Sequence, residues 1–200
     1  NIKHENGFSA FWDAFVAGGN DVTDGVDRNT AGNHLGSYNM ALSYVSPEWK
    51  TRAYFERYFE DQSMLTLQYG IYDHLLGFEV ELPKNPFVNS FVLEHISTKD
   101  QSGAVYHDKT ASMPDKMNGR DNYYYHLLYT GWQHWGMALG HPLITSPIYN
   151  ENNVINFRNN RIMAWHFGLN GQPTDELAYR VLLTFTENWG TYITPFDDVL

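Results

Sequence analysis

The sequence predicts an all-β protein: an antiparallel, up-and-down transmembrane β-barrel, of which this chain is an interior portion carrying long, partly helical extracellular loops. Three observations predict it. Several stretches of about ten residues alternate apolar and polar side chains, which is the period of a pleated strand and the length that crosses a bilayer at a tilt. The connections between them alternate short and long, as do periplasmic turns and extracellular loops. Aromatic residues make up 16% of the chain and charged ones only 18%, below the roughly 25% of ordinary soluble domains, so part of the surface is expected to face something other than water.

The first element is a short amphipathic helix. Phe8, Phe11, Trp12 and Phe15 recur at i, i+3, i+4 and i+7, with Asn6 or Ser9 near the start and Gly18-Gly19 at the end. A connection rich in Gly, Asn, Asp and Thr follows from Ala17 to Asn33. In Gly36 to Tyr44, Tyr38, Met40, Leu42 and Tyr44 oppose Ser37, Asn39, Ala41 and Ser43, as one strand requires. After the turn Ser46-Pro47-Glu48, a second strand sets Trp49, Thr51, Ala53, Phe55 and Phe59 against Lys50, Arg52, Tyr54, Glu56, Tyr58 and Glu60. Arg57 breaks the pattern and is expected at the membrane interface.

A third strand, Leu75 to Leu82, opposes Leu76, Phe78, Val80 and Leu82 to Gly77, Glu79 and Glu81. The turn Pro83-Lys84-Asn85-Pro86 leads to a fourth, Phe87 to Ser97, with Phe91 and Leu93 against Ser90, Val92 and Glu94. A fifth sets Met163, Trp165, Phe167 and Leu169 against Ala164, His166 and Gly168, and ends in the turn Asn170-Gly171-Gln172-Pro173. The sixth holds Leu177, Tyr179, Val181, Leu183 and Phe185 against Arg180, Thr184 and Thr186. Aromatic girdles are expected at Tyr38, Tyr44, Trp49, Phe59 and Tyr179, and a polar lumen at Lys50, Arg52 and Glu56. Six strands cannot close a single-chain barrel, which needs at least about eight. The chain, which opens at Asn1 without initiator Met or signal peptide, is therefore read as a piece of a longer protein. A soluble two-sheet sandwich is the competing architecture, because its strands alternate for the same reason.

Several function classes fall away on composition. The net charge of −10 and the lack of a Lys/Arg cluster exclude nucleic acid as a partner. No apolar run approaches the length of a transmembrane helix. The absence of cysteine removes disulfides and thiol chemistry. No nucleophile elbow, P-loop, dinucleotide fingerprint or HExxH motif occurs, and Asp100, Asp108, Asp115 and Asp121 lack EF-hand spacing. No catalytic residue, metal or cofactor is expected. Glu79 and Glu81 lie roughly 6.5–7 Å apart along one strand face, near the spacing of glycosidase carboxylates. A polar lumen produces such pairs by default.

The segment 97–152 is too long for a passive connector. It carries Tyr106, Tyr123, Tyr124, Tyr125, Trp132 and Trp135, too much apolar surface to stay dissolved, and is expected to fold as a lid over the barrel mouth. Rings there serve either as a private core or as platforms that stack on sugars. The candidate glycan-binding residues are Trp132, Trp135 and Tyr124 for stacking, with Asp121 and His107 bonding hydroxyls.

Six runs strengthen this direction: GNHLGSY (Gly32 to Tyr38), FERYFEDQS (Phe55 to Ser63), LPKNPFV (Leu82 to Val88), TKDQSGAVYHDKT (Thr98 to Thr110), YTGWQHWGMALGHPL (Tyr129 to Leu143) and ENWGTY (Glu187 to Tyr192). Together they resemble Wzi-type capsule assembly proteins of the Bacteroidetes branch, over nearly the whole chain. The resemblance implies an outer-membrane barrel of about eighteen strands with a small periplasmic helical plug, acting as a non-enzymatic surface lectin. Its implied partners are capsular or surface polysaccharide and outer-membrane lipid. The alternatives are a carbohydrate-active hydrolase, soluble or barrel-borne, using Glu79 and Glu81 or an acidic pair in the long loop, and a porin-like channel lined by Lys50, Arg52, Glu56 and Arg180.

Overall fold

The computed structural model describes residues 7–15, 36–59, 72–100, 124, 132–151, 153–191 and 194–199. The chain divides into two compact units: Asn1–Ser37, Tyr58–Gly70 and Ser102–Asp121 form one, and Tyr38–Arg57, Ile71–Gln101 and Asn122–Leu200 the other. In the first, α1 (Phe8–Phe15) is the predicted amphipathic helix. Its rings form an exposed stripe, with Phe11 6.2 Å from both Phe8 and Phe15, and Trp12 5.7 Å from Phe15. Gly7, at φ 105°, opens the helix, its carbonyl accepting from Phe11 N–H (3.1 Å); Asn6 and the side chain of Ser9, expected near this start, lie outside what is described. The Gly18-Gly19 stop and the 17–33 connection lie outside the described residues.

The strands in chain order are β1 (Gly36–Val45), β2 (Lys50–Phe59), β3 (His74–Glu81), β4 (Ser90–Ser97), β5 (Gln133–His134), β6 (Met137–Ala138), β7 (Ile162–Gly171) and β8 (Tyr179–Asn188). Six of them form one sheet in the order β1-β2-β3-β4-β7-β8, and β5 and β6 form a separate hairpin. Every sheet strand pairs with its neighbour in sequence apart from the insertion between β4 and β7, so the topology is an antiparallel meander. All six predicted strands are present within a few residues. Two ends differ. Phe87 to Asn89 belong to the β3–β4 turn, because Asn85 Oδ1 accepts from the N–H groups of Phe87 (3.0 Å) and Val88 (3.2 Å) and curls the chain. Leu177 lies in the β7–β8 turn, where its N–H bonds Thr174 Oγ1 at 3.1 Å.

Register converts the period-two pattern into two faces. The cross-strand rows Ala53-Phe78-Leu93-Phe167-Leu183 and Phe55-Leu76-His95-Trp165-Phe185 run along one face from β2 to β8. Ser46 N–H bonds Trp49 O at 2.9 Å, which closes the β1–β2 hairpin and sets the Tyr44 and Trp49 rings 5.1 Å apart. Met40, Leu42 and Tyr44 thereby continue the apolar face. Leu42, Leu76, Phe78, Leu93, Trp165 and Phe185 are all exposed on it.

The opposite face carries the rows Lys50-Glu81-Ser90-Asn170-Arg180 and Tyr54-Gly77-Glu94-His166-Thr184. Lys50 Nζ lies 2.8 Å from Glu81 Oε2, His166 Nδ1 2.7 Å from Thr184 Oγ1, and Asn170 Nδ2 donates to Ser90 Oγ at 2.6 Å. Tyr54 crosses β3 to donate its hydroxyl to Glu94. Gly77 makes that crossing possible, since a Cβ there would sit 2.0 Å from Tyr54 Cζ.

Apart from Val80, the described core gathers at the long-loop end: Ile96, Tyr124, Ile144, Phe157, Ile162 and Ala164 are buried, as are Thr98, Ser146, Asn150, Asn159, Asn160 and Thr191. These polar groups interlock. Thr98 Oγ1 donates to Asn160 O (2.7 Å) and accepts from Ile162 N–H (3.1 Å), Asn159 Oδ1 accepts from Gly190 N–H (3.2 Å), and Asn159 Nδ2 reaches Asn188 Oδ1 at 2.7 Å. The knot ties the inserted segment to the ends of β4, β7 and β8. Arg57, at the long-loop end of β2, is also buried.

Candidate functional site

The β5–β6 hairpin pairs Gln133 with Ala138 and His134 with Met137, leaving Trp135-Gly136 as a two-residue tip. Both tip residues have positive φ, 51° and 80°, the type I′ pattern that matches strand twist and favours Asn-Gly. Gly136 meets that demand. Its carbonyl accepts from Ile148 N–H at 2.8 Å, and a Cβ would press on Ile148 Cβ at 3.1 Å. Trp135 does not meet it: a bulky side chain in the left-handed region is a strained choice. The indole is 86% exposed, so packing does not explain why it is there.

Around the tip, side-chain amides set the shape. Gln133 Nε2 donates to Ile155 O (3.1 Å), and Asn150 Nδ2 donates to both Val154 O and Asn156 O at 2.7 Å. A 3-10 turn, Pro147–Tyr149, closes the other side, and Ser146 Oγ accepts from Ala138 N–H at 2.9 Å. Between these elements lies an open groove of about 340 Å³, lined by Gln133, Trp135, Gly136, Pro147, Ile148, Asn153, Val154 and Ile155. The three described non-glycine residues at positive φ, Tyr124 (69°), Trp135 (51°) and Asn153 (54°), all belong to this corner. Strain concentrated in one place marks a candidate functional site.

Tyr124 is the keystone beneath the hairpin. Its ring is 5% exposed and packs on Phe157 at 5.5 Å, its carbonyl accepts from Trp132 N–H at 3.1 Å, and a Cβ on Gly140 would lie 2.6 Å from its hydroxyl. A ring so placed packs on protein, the private-core role of the two roles expected for these rings. Trp132 is half-buried and bonded through its backbone to Leu139 (3.0 Å). Trp135 is the one described aromatic of the predicted set that stands open. His107 and Asp121, like Tyr106, Tyr123 and Tyr125, lie outside the described residues.

His141 follows the hairpin and carries its own signal. Burial lowers its pKa from the ordinary histidine value, against the opposing pull of Glu94 and Glu56. Leu143 N–H donates to His141 Nδ1 at 3.3 Å, a bond only the neutral ring accepts.

The segment between β4 and β7 runs on to Arg161, because β7 begins at Ile162. Sequence reasoning therefore missed the Asn153-Val154-Ile155 wall, whose available signal was the asparagine-rich run NENNVIN. The acidic pair on β3 is partly committed: Glu81 is ion-paired with Lys50. Among the described residues, no grouping of three or more His, Asp or Glu is placed to hold a metal, and no helix is long and apolar enough to cross a membrane. No family model, curated protein or solved structure matches the chain.

Proposed function

We propose that this chain is part of an outer-membrane β-barrel that binds and organises capsular or surface polysaccharide at its long-loop end, without enzymatic activity, as its resemblance to Wzi-type proteins implies. One observation carries the reading: the apolar face of the sheet is continuous and largely exposed. Met40, Leu42, Tyr44, Leu76, Phe78, Leu93, Trp165, Val181, Leu183 and Phe185 all lie exposed on it. With on the order of 100 Å² open on each, the patch is about 1,000 Å², well beyond the few hundred Å² of soluble monomers. At about 25 cal/mol/Å² its removal from water is worth about 25 kcal/mol, more than the roughly 5–15 kcal/mol that holds a domain folded. Something apolar covers it, and acyl chains fit both the ten-residue strands and the polar lining opposite.

Ring placement favours lipid over a second sheet. Tyr44, Trp49, Phe87 and Tyr179 gather at the short-turn end, where Tyr179 donates its hydroxyl to Phe87 O, as an interfacial girdle does. Trp135 then stands on the opposite, long-loop side, where extracellular glycan is met. Full-length protein that needs detergent and migrates differently before and after boiling supports the barrel, and migration unchanged by heat contradicts it. Cells carrying Trp135→Asn are expected to shed polysaccharide that wild-type cells retain.

A further inference from the structure

We infer that the groove beside Trp135 is a subsite for one neutral, methyl-bearing pyranose, a 6-deoxyhexose or an N-acetylhexosamine; the assignment rests on the polysaccharide reading and deepens it. At about 340 Å³ the groove lies at the small end of ligand sites, which run from about 300 to 1,000 Å³. That is room for a ring and one substituent. Its lining residues divide by chemistry: the aromatic Trp135, the aliphatic Pro147, Ile148, Val154 and Ile155, and the amide-bearing Gln133 and Asn153.

Each wall selects a feature of the ligand. An exposed indole offers a flat apolar surface to the C–H face of a pyranose. Asn153 both donates and accepts, as sugar hydroxyls require. An aliphatic wall set against hydroxyls would desolvate them without partners. A methyl group removes that penalty, which favours a 6-deoxy or N-acetyl sugar over a fully hydroxylated one. Among the described residues no charged side chain lines the groove, and the chain carries a net charge of −10, so a uronate finds no counter-charge from them. The Gln133–Ile155, Gly136–Ile148 and Asn150–Val154 hydrogen bonds fix the walls before ligand arrives, which limits the ordering that binding requires.

Saturation-transfer NMR on the full chain in detergent tests the assignment with matched sugars. D-Fucose against D-galactose isolates the 6-methyl, N-acetylglucosamine against glucose isolates the acetyl methyl, and galacturonic acid adds charge. The expected result is saturation strongest at a methyl, in the fucose arm, the acetyl arm or both, little for galacturonate, and at least a tenfold loss in Trp135→Asn. Ile155→Asn, at a half-exposed position and so tolerant of change, is expected to erase the methyl preference while ring contact persists. Equal signals from galactose and fucose together with equal signals from glucose and N-acetylglucosamine, or a Trp135→Asn signal equal to wild type, overturn the proposal. Polysaccharide retention is measured alongside. Retention by wild type without methyl saturation overturns the subsite and leaves the polysaccharide reading standing; methyl saturation lost in Trp135→Asn without retention upholds the subsite and defeats that reading.

Discussion

Replacing Trp135 by Asn is expected to leave the β5–β6 hairpin and its surroundings as stable as before, although a large aromatic residue is removed. With 86% of the residue exposed, at most about 35 Å² of a side chain of about 250 Å² is covered. At about 25 cal/mol/Å² its loss costs about 0.9 kcal/mol. Against this, Asn enters the left-handed region several-fold more readily than a bulky residue, a relief of about 1 kcal/mol, and makes the Asn-Gly tip that a type I′ turn prefers. The two terms cancel to within about 0.5 kcal/mol. Hydrogen exchange reads this locally at the amides of Leu139, bonded to Trp132 O (3.0 Å), and Ile148, bonded to Gly136 O (2.8 Å). Their protection should change by less than about threefold. Tyr124→Ala supplies the contrast: its buried ring makes the cost about 3–5 kcal/mol, a loss of protection above a hundredfold. A loss of more than about 2 kcal/mol in Trp135→Asn would show that the indole holds the hairpin in place, and the reasoning that it is displayed for binding would be wrong.

Gly136→Ala combines a φ of 80° with a Cβ contact at 3.1 Å to Ile148, so it is expected to cost about 1–2 kcal/mol, read as lost protection at Ile148. Gly77→Ala drives a methyl into the Tyr54 ring and should destabilise the sheet by about 1–3 kcal/mol, lowering the temperature at which the folded gel band disappears. His141 gives a pH dependence with a definite sign. Its folded pKa lies below the unfolded value of about 6.5, so its contribution to stability is complete above about pH 6.5 and is lost as pH falls through the folded value. The protection factor at Leu143 should fall on acidification, and His141→Asn, whose carbonyl replaces the Nδ1 acceptor, should flatten the profile.

The sheet was legible because its strands repeat a two-residue pattern for eight to ten residues, whereas the register that puts Phe78, Leu93, Phe167 and Leu183 in one row came from the structure. Strand ends were less so. Phe87 reads as strand from its neighbours, and only the Asn85 side chain, capping two backbone N–H groups, turns it out of the sheet. The site was legible in its residue types alone. Strands of two residues are too short to show a period, and a tryptophan at a tip that prefers asparagine hides the turn. Tyr124 and Trp135 look equivalent in sequence, and packing against Phe157 is what separates a buried keystone from an exposed platform. The Asn153–Ile155 wall depends on bonds from Gln133 and Asn150, which no local pattern announces.

The claim beneath all of this is that the apolar face of the sheet meets lipid. Because the chain contains no cysteine, single nitroxide labels can be placed at Leu183→Cys and Thr184→Cys, adjacent exposed residues on opposite faces of β8. In reconstituted bilayers the label at 183 is predicted to collide freely with oxygen and hardly at all with a water-soluble nickel complex, and the label at 184 to show the reverse. A label at 183 shielded from both, or open to nickel, would contradict the account.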